Sequence, residues 1–155
     1  MKIGEALALL KKEKSRLARL ISLRKINVYV EKGKKTPFDP QKLGKEIDKK
    51  IEDIRKLKVK IQKTNLSTKL PDFNVSLAEA IILVNDIRSG ISLLSGLFKE
   101  KSEYSFRFRD KDEIEKVSQL DESEIEKEME KLETEKTHLD NAIQIANWEN
   151  ELIEV

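Results

Sequence analysis

The segment Ile3–Leu10 (IGEALALL) recurs in degenerate form as Leu77–Val84 (LAEAIILV), and this pair decides the fold. The correspondence returns near the end of each half, where Ile61–Asn65 (IQKTN) matches Ile143–Asn147 (IQIAN). Repeated helical units generally cannot bury their apolar side alone and pack on one another. The repeat therefore predicts an all-α protein with one helical domain over residues 1–155, built from two antiparallel helical hairpins, with halves of about 1–70 and 71–155.

The composition fits long, solvent-exposed helices. Of the 155 residues, 39% are charged and 5% aromatic. With 31 basic and 29 acidic side chains, the net charge of +2 predicts no overall field that attracts nucleic acid or membrane. The absence of cysteine excludes disulfides, thiolate metal sites and cysteine nucleophiles. No signal sequence is visible, and no apolar stretch approaches the ~20 residues of a membrane span. We therefore expect a cytoplasmic protein with no membrane segment and no cofactor.

Four long helices are predicted from apolar spacing at three to four residues. The first runs from Ile3 to about Val28. The second follows Asp39-Pro40, which are predicted to be its N-cap and its first helical residue. A third begins after Ser76, and a fourth spans about Glu122 to Asn147. The first predicted apolar stripe comprises Ile3, Leu7, Leu10, Leu17, Ile21 and Val28. The second comprises Leu43, Ile47, Ile51, Ile54, Leu57 and Ile61, which is close to a coiled-coil seam.

The two hairpin tips carry β-prone sequence. Tyr104–Arg109 (YSFRFR) alternates with period two, as strands do, and Asn27–Glu31 occupies the equivalent position in the first half. We therefore predict a short two-stranded β ribbon that joins the tips, supported by the helices or by another chain.

Antiparallel hairpins bring polar residues together at the opposite end, which we call the base. The residues expected there are Glu5, Thr64, Asn65, Thr68, Glu79, Asn147 and Trp148. Together, these side chains could bind a polar or cationic ligand. Alternatively, these residues are structural: the asparagines lie at helix C-termini, the glutamates lie in first turns, and Trp148 plugs the base.

The tip offers a second candidate surface. It combines basic and aromatic side chains from both halves: Lys32, Lys34, Lys35, Tyr104, Phe106, Arg107, Phe108 and Arg109. This combination could contact single-stranded nucleic acid, although the net charge does not favour it. Alternatively, the rings pack against the helices or against another subunit.

No catalytic or metal site is predicted. Glu135 and His138 have the Glu-x-x-His spacing of di-iron bundles, but such a site needs two motifs and the chain has one histidine. The five glycines are scattered, so no phosphate-binding loop is present. The favoured hypothesis is a non-enzymatic interaction protein that forms a homo-oligomer. The alternatives are a nucleic-acid-associated factor using the tip, or a small-ligand protein or enzyme using the base.

Four motifs occur in order along the chain and suggest a family. They are Lys-x-x-Glu-Ala-Leu (Lys2–Leu7), Ile-x-x-Thr-Asn-x-x-Thr (Ile61–Thr68), Leu-x-Glu-Ala (Leu77–Ala80) and Ile-Gln-x-x-Asn-Trp-x-x-x-Leu (Ile143–Leu152). Together they resemble a small, uncharacterised bacterial family of helical proteins labelled septicolysin-like. The label implies a pore-forming cytolysin. The residues argue against pore formation, because neither a spanning helix nor a pair of alternating strands long enough for a barrel is present.

Overall fold

The computed structural model describes residues 1–98 and 117–154. Within these ranges the chain forms four helices and one small antiparallel sheet, in the order α1 (Ile3–Ile26), α2 (Pro40–Ser67), β1 (Lys69–Leu70), β2 (Val75–Ser76), α3 (Leu77–Gly96) and α4 (Glu122–Glu149). The prediction of a mostly helical protein with a small two-stranded ribbon is confirmed. The described chain divides into two compact units, one of Met1–Ala78 with Gln144–Val155 and one of Glu79–Ile143.

The α1–α2 pair is the frame of the first unit. Its contact seam recurs at alternating intervals of three and four residues on both helices, which is the spacing of helices that pack along their length. The seam residues of α1 are Ile3, Ala6, Leu10, Glu13, Leu17 and Leu20, and those of α2 are Leu43, Ile47, Lys50, Ile54, Leu57, Ile61 and Thr64. Glu13 contacts Lys50, and Arg24 lies over Gly44. Residues later in α1 therefore contact residues earlier in α2, so the two helices run in opposite directions.

The predicted apolar stripe of α1 is partly wrong. Leu7 is 40% exposed, Ile21 is also exposed, and Val28 lies beyond the helix and is exposed. On α2, Ile51 is exposed and its neighbour Lys50 occupies the seam. The physical reason is that a regular seam on α1 runs through Ala6 and Glu13, and the carboxylate of Glu13 is compensated there by the ammonium group of Lys50, 2.6 Å away.

The ribbon forms at a different place from the predicted one. Lys69 pairs with Ser76 and Leu70 with Val75, so the sheet joins α2 to α3. Asn74 closes the intervening turn with φ of 51°, in the left-handed region that asparagine tolerates. Asn27–Glu31 is not a strand, which corrects our prediction. The side chain of Asn27 instead ends α1, since its amide donates to Leu23 O at 2.8 Å. Tyr104–Arg109 lies outside the described residues.

The start of α2 follows from its sequence. The Asp39 carboxylate accepts a hydrogen bond of 2.8 Å from the Gln41 N–H, and Pro40 occupies the first helical position, where no N–H is needed.

The second unit pairs α3 with α4. Its buried apolar residues are Ala80, Val84, Ile87, Leu139 and Ile143. At the surface, the Arg88 guanidinium donates to the Asp140 carboxylate at 3.1 Å. Leu132 packs 3.8 Å from the position of a Cβ on Gly90.

Candidate functional site at the base

The two ends of the chain meet at the base of the first unit. Ile3 N–H donates to Asn150 O at 3.0 Å, and Leu152 N–H donates to Met1 O at 2.9 Å, so Lys2 and Glu151 form an isolated antiparallel bridge. These backbone bonds hold the start of α1 beside the end of α4. The base is therefore held together by backbone hydrogen bonds between the two ends of the chain.

Lys2 and Glu5 neutralise helix ends at the base. The Lys2 ammonium donates to Glu149 O at 2.7 Å, which places a cation at the negative end of α4, and it lies 3.7 Å from the Glu151 carboxylate. The Glu5 carboxylate accepts from the Lys2 N–H at 2.8 Å, which caps α1. Glu5 thus has the capping role that its place in the first turn predicted.

The threonines of the base fasten backbone segments. Thr64 is buried, and its hydroxyl donates to Lys60 O at 2.8 Å and accepts from the Ile153 N–H at 3.1 Å. Thr68 ends α2, because its N–H donates to Thr64 O and its carbonyl accepts from the Leu77 N–H, both at 2.8 Å. Both threonines therefore join α2 to neighbouring segments of the first unit.

Asn65 presents an unpaired acceptor. The residue is only 7% exposed, and its Oδ1 has no hydrogen-bond partner among residues 1–98 and 117–154. Leaving a buried polar group unpaired costs about 1–3 kcal/mol, so such an atom is expected to meet a water or a ligand donor. Asn147 is also buried in this unit. Asn65 is the strongest indication of a binding site at the base.

Trp148 does not plug the base. It is 58% exposed, and its indole ring lies flat over Gly4, where an added Cβ would come within 2.9 Å of ring carbons. Sequence reasoning missed this role of Gly4. The small residue at that position allows the close approach of the ring to α1.

The remaining predicted site residues lie elsewhere. Glu79 belongs to the second unit. Lys32, Lys34 and Lys35 are exposed in the α1–α2 connection, where Lys34 pairs with Glu31. Tyr104, Phe106, Arg107, Phe108 and Arg109 lie outside the described residues.

The α1–α2 connection and its flanks also expose apolar side chains that the sequence reasoning did not single out. We define the apolar tip as Ile26, Val28, Tyr29, Val30 and Phe38. Tyr29 is 89% exposed, and every other member is exposed as well. The signal available in the sequence is the β-prone, apolar composition of this stretch, which also fits the strand that we predict there.

Charge is strongly divided along the chain. Residues 1–78 contain 21 basic and 9 acidic side chains, a net of +12, whereas residues 79–155 contain 10 basic and 20 acidic, a net of −10. The whole-chain value of +2 hides this division. The charges of the two halves cancel in the overall net charge, so only a separate count for each half shows that the α1–α2 pair is strongly basic.

Neither a cluster of metal ligands nor a membrane-spanning helix occurs in the part of the chain that the structure describes. Within residues 1–98 and 117–154, no three histidine, aspartate or glutamate side chains are grouped so that they could hold a metal ion. Over the same residues, no helix combines the length and the apolar character needed to cross a bilayer.

Ion pairing along α1–α2 shifts three pKa values. The hydrogen bond from Lys50 lowers the pKa of Glu13 below its ordinary value, with help from Arg16. The Glu52–Lys56 pair lowers the pKa of Glu52 and raises that of Lys56. These groups form ion pairs on the surfaces of the helices, so the shifted pKa values reflect contacts between helical residues.

Comparison with known proteins places the chain in a family without assigning an activity. No curated protein matches it. The chain is similar to the crystal structure of a functionally unknown conserved protein from Corynebacterium diphtheriae, with 27% sequence identity, a TM-score of 0.84 and 99% of each chain covered. Neither comparison supports the septicolysin-like label. Residues 11–152 match the model of a family of unknown function, DUF6847. The chain therefore belongs to the DUF6847 family.

Proposed function

We propose that this protein is a non-enzymatic helical interaction protein that associates with a second copy of itself through the apolar tip. The observation that carries the proposal is the exposure of five large apolar side chains within the short stretch Ile26–Phe38. Contiguous exposed apolar patches usually mark interaction sites, whereas single exposed apolar residues need no explanation.

We favour a second copy of this chain as the partner of the apolar tip, because it requires no features beyond those of the chain itself. In a two-fold dimer the same patch of both copies meets, so each apolar tip would be covered by another apolar surface. Lys32 and Lys35 flank the patch, so the two copies would bring like charges near each other. Added salt screens this repulsion while leaving apolar contact intact. Association through the tip should therefore persist or strengthen as salt is raised.

The test is the solution mass from light scattering after size-exclusion chromatography, at low and high salt. We expect a discrete oligomer that resists salt and that Tyr29→Ser with Val30→Ser converts to a monomer. The matched control is Val59→Ser with Leu66→Ser, which removes two exposed apolar residues of α2 outside the tip. A monomeric parent protein of 18.0 kDa, or equal loss of mass in both variants, would refute self-association through the tip.

A second candidate function, binding of a small molecule at the base, is favoured by the unpaired Asn65 Oδ1. An acceptor of this kind selects an N–H or O–H donor. Asn65→Leu has a similar volume and cannot accept a hydrogen bond, so it should fold while losing any thermal shift produced by amide or ammonium compounds. A parent protein that shows no shift with such compounds would leave the base with a purely structural role.

A further inference from the structure

We propose that one side of the α1–α2 pair binds the phosphate backbone of a nucleic-acid duplex. This surface is separate from the apolar tip, and its function does not depend on self-association. We call it the basic flank, and its members are Lys12, Arg16, Arg19, Lys42, Lys49 and Lys56.

The geometry of the seam places these six residues on one side. Each of them directly precedes a seam residue, as Lys12 precedes Glu13 and Lys49 precedes Lys50. A step of one residue turns about 100° around a helix, so the preceding residues form one row on each helix. Since the two helices run in opposite directions against a common seam, both rows fall on the same side of the pair.

The basic flank has more positive charge than its carboxylates can neutralise. The same rows contain only three acidic residues, Glu5, Glu46 and Asp53, and Glu5 already caps α1. Two flank residues have acidic partners, since Arg16 pairs with Glu13 and Lys56 with Glu52, each at 2.7 Å.

The other four members of the flank remain available to a polyanion. Lys12, Arg19, Lys42 and Lys49 are exposed, and none has a carboxylate oxygen within 4.0 Å among the residues that the structure describes. Clustered unpaired cations of this kind attract a chain of phosphates.

The form of the flank favours a duplex over a single strand. Neither α1 nor α2 contains an aromatic residue, so this surface lacks the rings on which successive unpaired bases usually stack. From Lys42 to Lys56 the row extends roughly 21 Å along a helix. Such a row offers point charges to a regular phosphate backbone, which implies binding without base specificity.

The experiment measures binding of the full chain to a fluorescent duplex of about 24 base pairs and to one of its strands, over a series of salt concentrations. The flank variant is K12Q/R19Q/K49Q. The matched control is K11Q/K14Q/K58Q, which changes the net charge equally. Its three lysines are also exposed, but each directly follows a seam residue and therefore lies on the opposite side of the pair. Circular dichroism and light scattering on each variant check folding and mass.

We expect the flank variant to bind the duplex at least tenfold more weakly at low salt. Its slope of log K against log salt should fall by about 0.9 for each phosphate that is no longer neutralised, while the control keeps most of the affinity and the slope. The duplex should bind more tightly than the single strand. The variant Tyr29→Ser with Val30→Ser should bind the duplex like the parent protein. Duplex binding is therefore tested independently of self-association through the apolar tip.

Several results would overturn the proposal. Equal weakening in both triple variants would mean that overall charge, and no particular side, attracts the duplex. Preference for the single strand, a flat salt response or no binding would exclude the duplex as partner. A flank variant that loses solution mass and leaves duplex binding unchanged would instead show that this side contacts the acidic surface of a second copy.

Discussion

The hydroxyl oxygen of Thr64 accepts a hydrogen bond from the backbone N–H of Ile153 across 3.1 Å, and this bond ties the C-terminal segment to the end of α2. The same hydroxyl donates to Lys60 O. One buried side chain therefore satisfies two backbone groups that are far apart in sequence.

Thr64→Val should destabilise the protein by about 0.5–1.5 kcal/mol, because it keeps the side-chain shape and removes the hydrogen bond to the Ile153 N–H. Chemical denaturation measures the loss, and hydrogen exchange should show faster exchange of the Ile153 amide. Thr137→Val is the control, since the exposed Thr137 hydroxyl donates to Glu133 O in the same local pattern. Equal losses in the two variants would show that the bond to Ile153 contributes nothing.

Gly4→Ala should lower the melting temperature. Its new Cβ would lie 2.9 Å from carbons of the Trp148 ring, and overpacking of this kind costs about 1–3 kcal/mol. Gly90→Ala should instead stabilise by up to ~1 kcal/mol, because it improves helix propensity and its nearest neighbour is 3.8 Å away. Combining Gly4→Ala with Trp148→Ala should remove most of the penalty. A penalty that persists without the ring would locate the strain elsewhere.

Gly44→Ala should be tolerated better than Gly4→Ala, although its Cβ would also come within 2.9 Å of another side chain. The atoms it meets belong to the Arg24 guanidinium, the far end of a flexible side chain that can turn away into solvent. Thermal melts of the two alanine variants give the comparison. A larger loss at Gly44 would mean that the Arg24 position is itself required for packing of α1 on α2.

Glu13 should make stability depend on acid pH. Lys50 holds the pKa of Glu13 below its ordinary value of 4.5 in the folded protein, so folding favours the ionised form. The stabilisation is fully present above the unfolded pKa and disappears as the pH falls through the lower, folded pKa. The difference in unfolding free energy between the parent protein and Glu13→Gln should therefore be constant near neutrality and shrink below about pH 4.5.

The control for Glu13 is Glu52→Gln, whose carboxylate pairs with Lys56 on an exposed helix face. Exposed pairs of this kind contribute little to stability, so its effect should be smaller over the whole pH range. A pH-independent difference for Glu13→Gln would show that the carboxylate titrates normally in the folded protein.

Asp39→Ala should cost about 1 kcal/mol, since it removes the side chain that accepts from the Gln41 N–H at the start of α2. Urea denaturation measures the change. Asp48→Ala makes the same change of charge at an exposed position inside α2 and should have a smaller effect. Equal effects would mean that charge and not capping is responsible.

The helices were predictable because their signals are local. Asp39-Pro40 marks the start of α2, and spacing at three to four residues marks its length. The ribbon was misplaced because β propensity reports only that a strand is tolerated, whereas pairing needs a partner at the right distance. Lys69–Leu70 and Val75–Ser76 are brought together by the turn between them, and Asn27–Glu31 has no such partner among the described residues.

The base was only partly predictable. Residue type and helix position were enough to expect the cap at Glu5. They could not show that the Asn65 oxygen lacks a partner among the described residues while the Thr64 hydroxyl has two, because that depends on which backbone groups arrive from distant parts of the chain.

By itself, the sequence determined the helical class, the start of α2 and the charge division between residues 1–78 and 79–155. These follow from local propensity and from counting, neither of which needs a partner residue. Only the tertiary structure decided that Glu13 and Lys50 occupy the seam while Ile21 and Ile51 are exposed. The register of two packed helices depends on the sum of the contacts along their whole length. A well-compensated ion pair can therefore lie in the seam at a position where hydrophobicity alone would predict isoleucine.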